Sequence, residues 1–249
     1  MKLSYDIVVV GAGHAGAEAA SAAARLGSRT LLITIDMEKI ASMSCNPAVG
    51  GVAKGQIVRE IDALGGQMAR ITDQSAIQFR MLNRSKGAAM WSPRAQCDKS
   101  EFSRLWRRTL ENTRNLYLWQ DSVTEILLDH TGEKVAVRGV KTRMGVEIEC
   151  RRVVLTAGTF LGGLLHCGTN SAEGGRAGDE ASHGITEQLV SLGFESGRMK
   201  TGTPARLDAR TINFDALEVQ EGDIEPSKFS YDTDTQVVKH QLPCFMVYT

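Results

Sequence analysis

The stretch Asp6-Ile7-Val8-Val9-Val10-Gly11-Ala12-Gly13-His14-Ala15-Gly16 decides the fold of this chain. Residues 7–10 are all β-branched and apolar, which is typical of a buried parallel strand. An Ala-rich segment follows the glycines and runs to Gly27, where we expect a helix to end. Residues 30–33 then predict a second strand, so that this part of the chain forms one β-α-β unit.

The three glycines of this stretch have different expected roles. Gly11 permits a tight turn, Gly13 lets the backbone approach a pyrophosphate, and Gly16 allows the helix to pack closely on the strand. Free amide groups and the macrodipole at the start of the helix favour an anion. Because the pattern lies between a predicted strand and a predicted helix, it favours dinucleotide binding; the alternative is a tight turn without a ligand.

Later segments continue an α/β pattern. Residues 36–53 look irregular, whereas helices are predicted over residues 54–64, from Asp98 onward, and over about 181–192. Strand-like runs within about 116–150 predict a small β-meander inserted in the α/β domain.

After the predicted meander comes a second strand that ends in a glycine turn. This predicted buried strand runs into Thr156-Ala157-Gly158. Together with the first glycine turn and the meander, this crossing favours FAD over NAD. We therefore expect a Rossmann-like FAD-binding domain, similar to that of glutathione reductase, over residues 1–205. Residues 206–249 would begin an inserted or second α+β domain, and the hydrophobic run 244–248 makes the chain look truncated at 249.

The composition excludes several classes of protein. The 249 residues carry 29 Lys+Arg and 29 Asp+Glu, and 42% are hydrophobic, as in ordinary globular proteins. The sequence has no run of 18 apolar residues and no signal-peptide pattern, so we expect no membrane contact. Five cysteines without a short repeating spacing fit neither a disulfide scaffold nor a zinc ribbon. We therefore expect a cytoplasmic protein without a bound metal.

Charge is unevenly distributed along the chain. Residues 80–114 hold nine basic side chains and three acidic ones, whereas residues 208–234 hold eight acids beside Arg210 and Lys228. Such an uneven distribution of charge can orient a polyanion such as RNA on one face of the protein. The alternative is that these charges line solvated helix faces.

A few single residues are candidates for chemistry or binding. Cys45 lies near Lys54 and a predicted helix start, which can favour a nucleophilic thiolate, although most lone cysteines only pack. Asp36, after the second strand, could hold a ribose or be a loop charge. The loop Gly174–Asp179 could wrap a ligand or merely connect two elements. His14 lies inside the glycine turn, although a histidine at a helix start is more often a polar cap than a catalyst. Packing is expected for the other cysteines, which are Cys97, Cys150, Cys167 and Cys244.

Several motifs together resemble one known family. The sequence is similar to the MnmG family, also called GidA, of tRNA uridine 5-carboxymethylaminomethyl modification enzymes. The similarity covers essentially the whole chain and corresponds to the N-terminal 40%, roughly, of the family's length. The motifs that carry it are Gly11–Gly16, Ser44–Gly51, Glu60–Gly66, Leu82–Gly87, Thr156–Leu161, Gly174–Asp179 and Lys200–Arg206.

The resemblance implies a function and its participants. It implies FAD-dependent formation of the 5-carboxymethylaminomethyl group on wobble uridine of tRNA, from methylenetetrahydrofolate and glycine or ammonium. NADH would be the reductant, bound mainly outside this chain, and the full-length protein would be a homodimer that pairs with the GTPase MnmE. Two alternatives are a folate- and FAD-dependent tRNA uridine methyltransferase and a non-catalytic dinucleotide-binding or tRNA-docking module.

The resemblance also assigns site residues. Cys45 matches a cysteine implicated in the family's chemistry, where a thiolate would add to carbon 6 of the uridine. Val123 would contact the adenine end of FAD through its backbone, and Ser182 would lie near the cofactor. The full set assigned to FAD is Gly11, Ala12, Gly13, His14, Ala15, Gly16, Val123, Thr156, Ala157, Gly158 and Ser182.

Overall fold

The computed structural model describes residues 3–43 and 46–247. Its helices are α1 (His14–Arg25), α2 (Gly55–Ala63), α3 (Met68–Ser75), α4 (Lys99–Glu111) and α5 (Ile185–Ser191). Its strands are β1 (Ser4–Val10), β2 (Thr30–Thr34), β3 (Ala48–Gly50), β4 (Ala76–Leu82), β5 (Ser92–Cys97), β6 (Leu116–Gln120), β7 (Val123–Asp129), β8 (Ala136–Thr142), β9 (Glu147–Leu155), β10 (Leu164–Cys167), β11 (Asn170–Glu173), β12 (Glu218–Gln220) and β13 (Cys244–Met246).

Two compact units divide the chain. The first comprises residues 1–42 and 106–198, and the second comprises residues 43–105 and 199–249. The second unit thus combines two separate stretches of sequence. The expected domains, 1–205 and 206–249, stay a prediction.

A six-stranded sheet forms the centre of the first unit, in the order β6-β2-β1-β9-β8-β7. The four strands β6, β2, β1 and β9 are parallel, and β8 and β7 continue antiparallel. The Ala-rich helix α1 contacts β1, β2, β6 and β9 through its small residues. It ends before Gly27, whose φ of 96° confirms the predicted glycine at the C-terminal end.

Strands β7, β8 and β9 form the predicted antiparallel meander, which continues the parallel part of the sheet because β9 also pairs with β1. One buried cluster joins Val8 and Leu31 of the parallel strands to Ile126, Val140 and Ile148 of the meander. Leu116–Gln120 was expected within the meander but is instead a parallel strand beside β2. The last strand of the expected meander and the strand expected before Thr156 are one continuous strand, β9. Its residues 149–155 pair with β1 along the length of β1.

The second unit has a three-stranded antiparallel sheet in the order β3-β5-β4, against which α2 and α3 pack. The segment expected to be irregular, 36–53, includes the short strand β3 and, in the first unit, a 3-10 turn at Met37–Lys39. Asp98 caps α4 as predicted, since its Oδ1 accepts from the amides of Ser100 and Glu101 at 2.9 Å. The expected C-terminal strand is β13, which pairs with β12.

Candidate functional site: a glycine turn at the carboxyl end of the parallel strands

The glycine turn joins β1 to α1 and leaves no room for two side chains. Gly11 has a φ of 97°, and a Cβ there would lie 2.6 Å from Thr156 O. A Cβ on Gly16 would lie 1.7 Å from Gly11 O. These contacts are far shorter than packed atoms allow, so that both glycines are required by the fold of the turn itself.

Gly13 is different, because no neighbouring atom of the described protein excludes a side chain there. Its φ of −70° and ψ of −171° are open to any residue, and a Cβ there would meet nothing within 4 Å. The space beside the first turn of α1 is therefore free, and the free amides of that turn face no helical partner. A pyrophosphate fits these features, since it needs close approach to backbone amides at a helix start.

The second crossing holds the glycine turn in place. Thr156 Oγ1 lies 2.9 Å from both Val10 O and Gly11 O, and Thr156 N donates to Val10 O at 2.9 Å. The Thr156 hydroxyl is thus bonded to the turn, which makes it a support of the site. Gly158, with a φ of 59°, is exposed just beyond it.

His14 is hydrogen-bonded to the loop that contains Ala41, next to the glycine turn. Its Nε2 donates to Ala41 O at 3.0 Å, while Ala41 N donates to Ala12 O at 2.8 Å. Burial lowers the pKa of His14 and outweighs the opposing effect of the bond to Ala41, so the ring is neutral at pH 7. Ala41 has a φ of 49°, an uncommon value for a non-glycine residue, which no sequence pattern indicates.

The loop Gly174–Asp179 is tied to the segment after β2. The nearly buried Asp179 carboxylate accepts from Lys39 Nζ and, at 2.8 Å, from Arg176 Nε. Burial opposes the charged carboxylate, but the bonds from Lys39 and Arg176 outweigh it and hold the pKa of Asp179 below its ordinary value. Asp36 accepts from Glu38 N at 2.8 Å and lies 3.4 Å from Lys39 Nζ, which favours its role as a loop charge.

Val123 and Ser182 lie in the same unit as the glycine turn. Asp121 N donates to Thr34 O at 2.9 Å, which places the start of β7 beside the carboxyl end of β2. Val123 itself is buried, and Ser182 Oγ lies 3.4 Å from Ser122 Oγ. A cleft of about 350 Å³ opens here, lined by Ser122, Thr124, Arg143, Glu173, Glu180, Ala181, Ser182 and His183.

The cysteines have different environments. Cys45 lies outside the described residues. Cys97 and Cys150 are buried as expected, and burial raises the pKa of Cys97 to about 12, so that its thiol is inert at neutral pH. The expectation of packing is wrong for Cys167, which is exposed on β10 because it belongs to a two-stranded surface hairpin.

The basic segment is partly neutralised by its own acids. Arg104 makes two bonds to the Glu101 carboxylate, and Arg107 bonds to Glu111 at 2.8 Å and also to Glu38. Arg108 is exposed and forms no ion pair with a carboxylate of the described residues. The ion pairs of Arg104 and Arg107 lower the positive charge that α4 presents to a polyanion.

Residues 3–43 and 46–247 contain neither a metal-binding cluster nor a membrane-spanning helix. No group of three or more His, Cys, Asp or Glu side chains in these ranges could hold a metal ion. No helix in them has the length and apolar character needed to cross a bilayer.

The fold and the glycine turn define the class of this protein, a Rossmann-like α/β protein with the turn typical of dinucleotide binding. The model of the family described as Glucose inhibited division protein A matches residues 6–249, and the chain belongs to this GidA family. The expected fold class and the resemblance to the family are both confirmed.

Individual relatives agree with this assignment. The tRNA uridine 5-carboxymethylaminomethyl modification enzyme MnmG of Porphyromonas gingivalis is 59% identical over 249 residues, covering 100% of this chain and 39% of that protein. The solved structure of Aquifex aeolicus GidA, form II, superposes with a TM-score of 0.92 at 47% identity, covering 97% of this chain and 40% of that one. The GidA-related protein from Thermus thermophilus gives a TM-score of 0.55 at 26% identity, covering 77% and 69%. The chain thus spans about two fifths of the length of its close relatives.

Proposed function

We propose that this chain is the dinucleotide-binding part of a flavin-dependent tRNA-modifying enzyme, and that Gly11–Gly16 holds the pyrophosphate of FAD. The observation that carries this proposal is the free space at Gly13. The protein's own packing explains Gly11 and Gly16 but leaves Gly13 unexplained, whereas a bound pyrophosphate explains it. Membership of the GidA family supports the same assignment.

The remaining cofactor contacts follow the edge of the parallel strands. The amides of Ala12 to Ala15 would face the phosphates, and His14 would keep their turn fixed through Ala41. The cleft beside Val123 and Ser182 would take the adenine end, because it lies at the end of β2 where β7 begins. Such crevices at the carboxyl ends of parallel strands are the common ligand sites of this class.

The reaction assigned to the whole protein is formation of the 5-carboxymethylaminomethyl group on wobble uridine of tRNA, as in the name of the Porphyromonas gingivalis relative. The flavin would supply redox chemistry for a one-carbon unit taken from methylenetetrahydrofolate, with NADH as reductant. Carbon 5 of uridine becomes nucleophilic once a group adds at carbon 6. We assign that addition to the Cys45 thiolate, and the thiolate leaves again when the carbon 5 proton is lost.

The whole protein would act in the cytoplasm as a homodimer, together with the GTPase MnmE, and would use glycine or ammonium as the amine. The division into residues 1–205 and 206–249 belongs to the same proposal. The alternatives of tRNA uridine methylation and of a non-catalytic module predict different products. The first would leave a methyl group on a uridine outside the anticodon, and the second would leave tRNA unchanged.

The test uses the complete protein that contains this chain. We expect a yellow protein with one FAD per subunit, bleached by NADH, and wobble uridine carrying the carboxymethylaminomethyl group in nucleoside analysis by mass. A Cys45→Ser variant should keep its FAD but lose modification by orders of magnitude, whereas Cys167→Ser, at an exposed cysteine, should keep both. A colourless protein, or one that leaves the wobble uridine unmodified, would contradict the proposal.

A further inference from the structure

Arg80 and Arg94 lie directly opposite each other in the sheet of the second unit. The antiparallel register of β4 and β5 pairs Arg80 with Arg94, next to the pair of Phe79 with Ala95. Residues directly opposite in such a ladder have Cβ atoms about 4.5–5.5 Å apart and share one face. Two like charges in this position destabilise the sheet unless something negative compensates them.

No described carboxylate supplies that compensation. Two other arginines of this unit each have an acid: Arg84 lies 2.9 Å from Asp223, and Arg70 lies 2.8 Å from Asp232, whereas Arg59 donates to Ser227 Oγ and the Lys228 carbonyl. Among the described residues, neither Arg80 nor Arg94 forms an ion pair, although both are partly buried. A partly buried pair of unneutralised guanidinium groups on facing strands is therefore a local excess of positive charge.

One neighbouring amide, that of Gln96, orients Arg94 without neutralising it. With the Gln96 amide turned so that both its ends are bonded, its oxygen accepts from Arg94 Nη2 at 2.8 Å. Gln78, opposite Gln96, donates to Gln220 O and Leu242 O at 3.0 and 2.9 Å. Both glutamine amides are thus engaged, and Arg94 is held in a fixed direction.

We propose that Arg80 and Arg94 together bind a phosphate group. Guanidinium groups match phosphate oxygens with two parallel hydrogen bonds, and one phosphate between them removes their mutual repulsion. The register also brings Gly50 of β3 opposite Arg94, five residues along the chain from Cys45.

The phosphate has two possible sources, an RNA backbone or a free phosphate or nucleotide. The RNA source rests on the proposed function, whereas the phosphate chemistry does not. A two-part experiment separates them, using the 249-residue chain, its Arg80→Gln and Arg94→Gln variants and the double variant. The matched control is Arg151→Gln/Arg152→Gln, which removes the same charge from two exposed arginines of β9 in the first unit.

The first part measures thermal unfolding with and without inorganic phosphate. In phosphate-free buffer of low salt we expect each single variant to unfold at a temperature equal to the wild type or about 1–4 °C higher, because repulsion is relieved. Added phosphate should raise the midpoint of the wild type and of the control but not that of the double variant. Variants that unfold earlier without phosphate and respond to it like the wild type would overturn the proposal.

The second part measures binding of a fluorescein-labelled single-stranded RNA by anisotropy over a range of salt. If the source is RNA, the double variant should bind about tenfold more weakly, and its salt slope should fall by about 0.7 per lost phosphate contact. RNA binding equal to the control, with the phosphate response lost, supports a free phosphate or nucleotide. A wild type that responds to neither would overturn the site, and neither part depends on flavin or on modification activity.

Discussion

Gly13 and Gly16 stand three residues apart in one turn but are constrained by different partners. A methyl group on Gly16 would collide with Gly11 O and Thr156 Oγ1, whereas a methyl group on Gly13 would enter free space. The fold therefore requires Gly16, and the proposed ligand requires Gly13. Variants at these two positions separate folding from binding.

The first prediction compares Gly16→Ala with Gly13→Ala in the complete protein. Gly16→Ala should lose about 3 kcal/mol or more, since a close backbone contact must open. Gly13→Ala should change stability by no more than about 1 kcal/mol, because only the preference at the helix start changes, yet weaken FAD binding. Chemical denaturation and FAD titration measure both, and equal loss of stability in the two variants would contradict this division.

The second prediction concerns pH and His14. Its pKa in the folded protein is lowered below the unfolded value of about 6.5, so the unfolded chain binds the additional proton first. The stability that neutral His14 contributes is complete above that value and is lost as pH falls through the folded pKa. Between pH 7.5 and 5.5 the wild type should lose more stability than His14→Gln. Exposed His166→Gln should follow the wild type; identical curves for all three would show that His14 does not titrate in this way.

At the scale of elements, variants in α4 test whether the basic segment, residues 80–114, binds tRNA. Arg104 and Arg107 already pair with acids, so their reversal to Glu also breaks these ion pairs. Exposed Arg108 avoids that complication. If α4 faces tRNA, Arg108→Gln in the complete protein should weaken tRNA binding severalfold and flatten its salt dependence, and reversing all three arginines should weaken it further. Filter binding over a salt series measures both; unchanged affinity and slope would restore the interpretation as a solvated face.

Local sequence predicted those elements whose partners lie close in the chain. The unit β1-α1-β2 and the cap at Asp98 follow from β-branched runs, glycines and a polar cap, all of which act within a few residues. Strand β4 alternates apolar Ile77, Phe79 and Met81 with polar residues, a signal that identifies it in retrospect. Strand β5 contains Pro93 and β3 has three residues, so neither gives a local signal.

The candidate site was predictable only in part, for a physical reason. The glycine pattern identified the turn, but its supports come from distant residues: Thr156 is 145 positions from Gly11, and Ala41 is 27 from His14. Likewise, the parallel partner of β6 is β2, more than 80 positions earlier, and no local periodicity encodes that choice. Long-range hydrogen bonds of this kind become visible only in the folded chain.

At the scale of the whole molecule, this chain represents 39% of its Porphyromonas gingivalis relative, and we propose that the rest of the complete protein supplies further FAD contacts. We predict that the 249-residue chain folds but holds FAD poorly. Loss of about 3 kcal/mol of contacts lowers affinity by more than a hundredfold. Dialysis followed by a visible spectrum measures retention, and stoichiometric FAD after dialysis would show that this chain contains the complete site.

The most direct measurement of the central claim is a calorimetric titration of ADP, which carries the pyrophosphate and adenosine of FAD, into the 249-residue chain. Wild type and Gly13→Val are compared after both have been shown to unfold at similar temperatures. The account predicts weak but saturable binding by the wild type and no measurable binding by Gly13→Val, whose side chain fills the free space beside the helix start. Equal ADP affinity in the two proteins, or none in the wild type, would contradict the assignment of the glycine turn to the pyrophosphate.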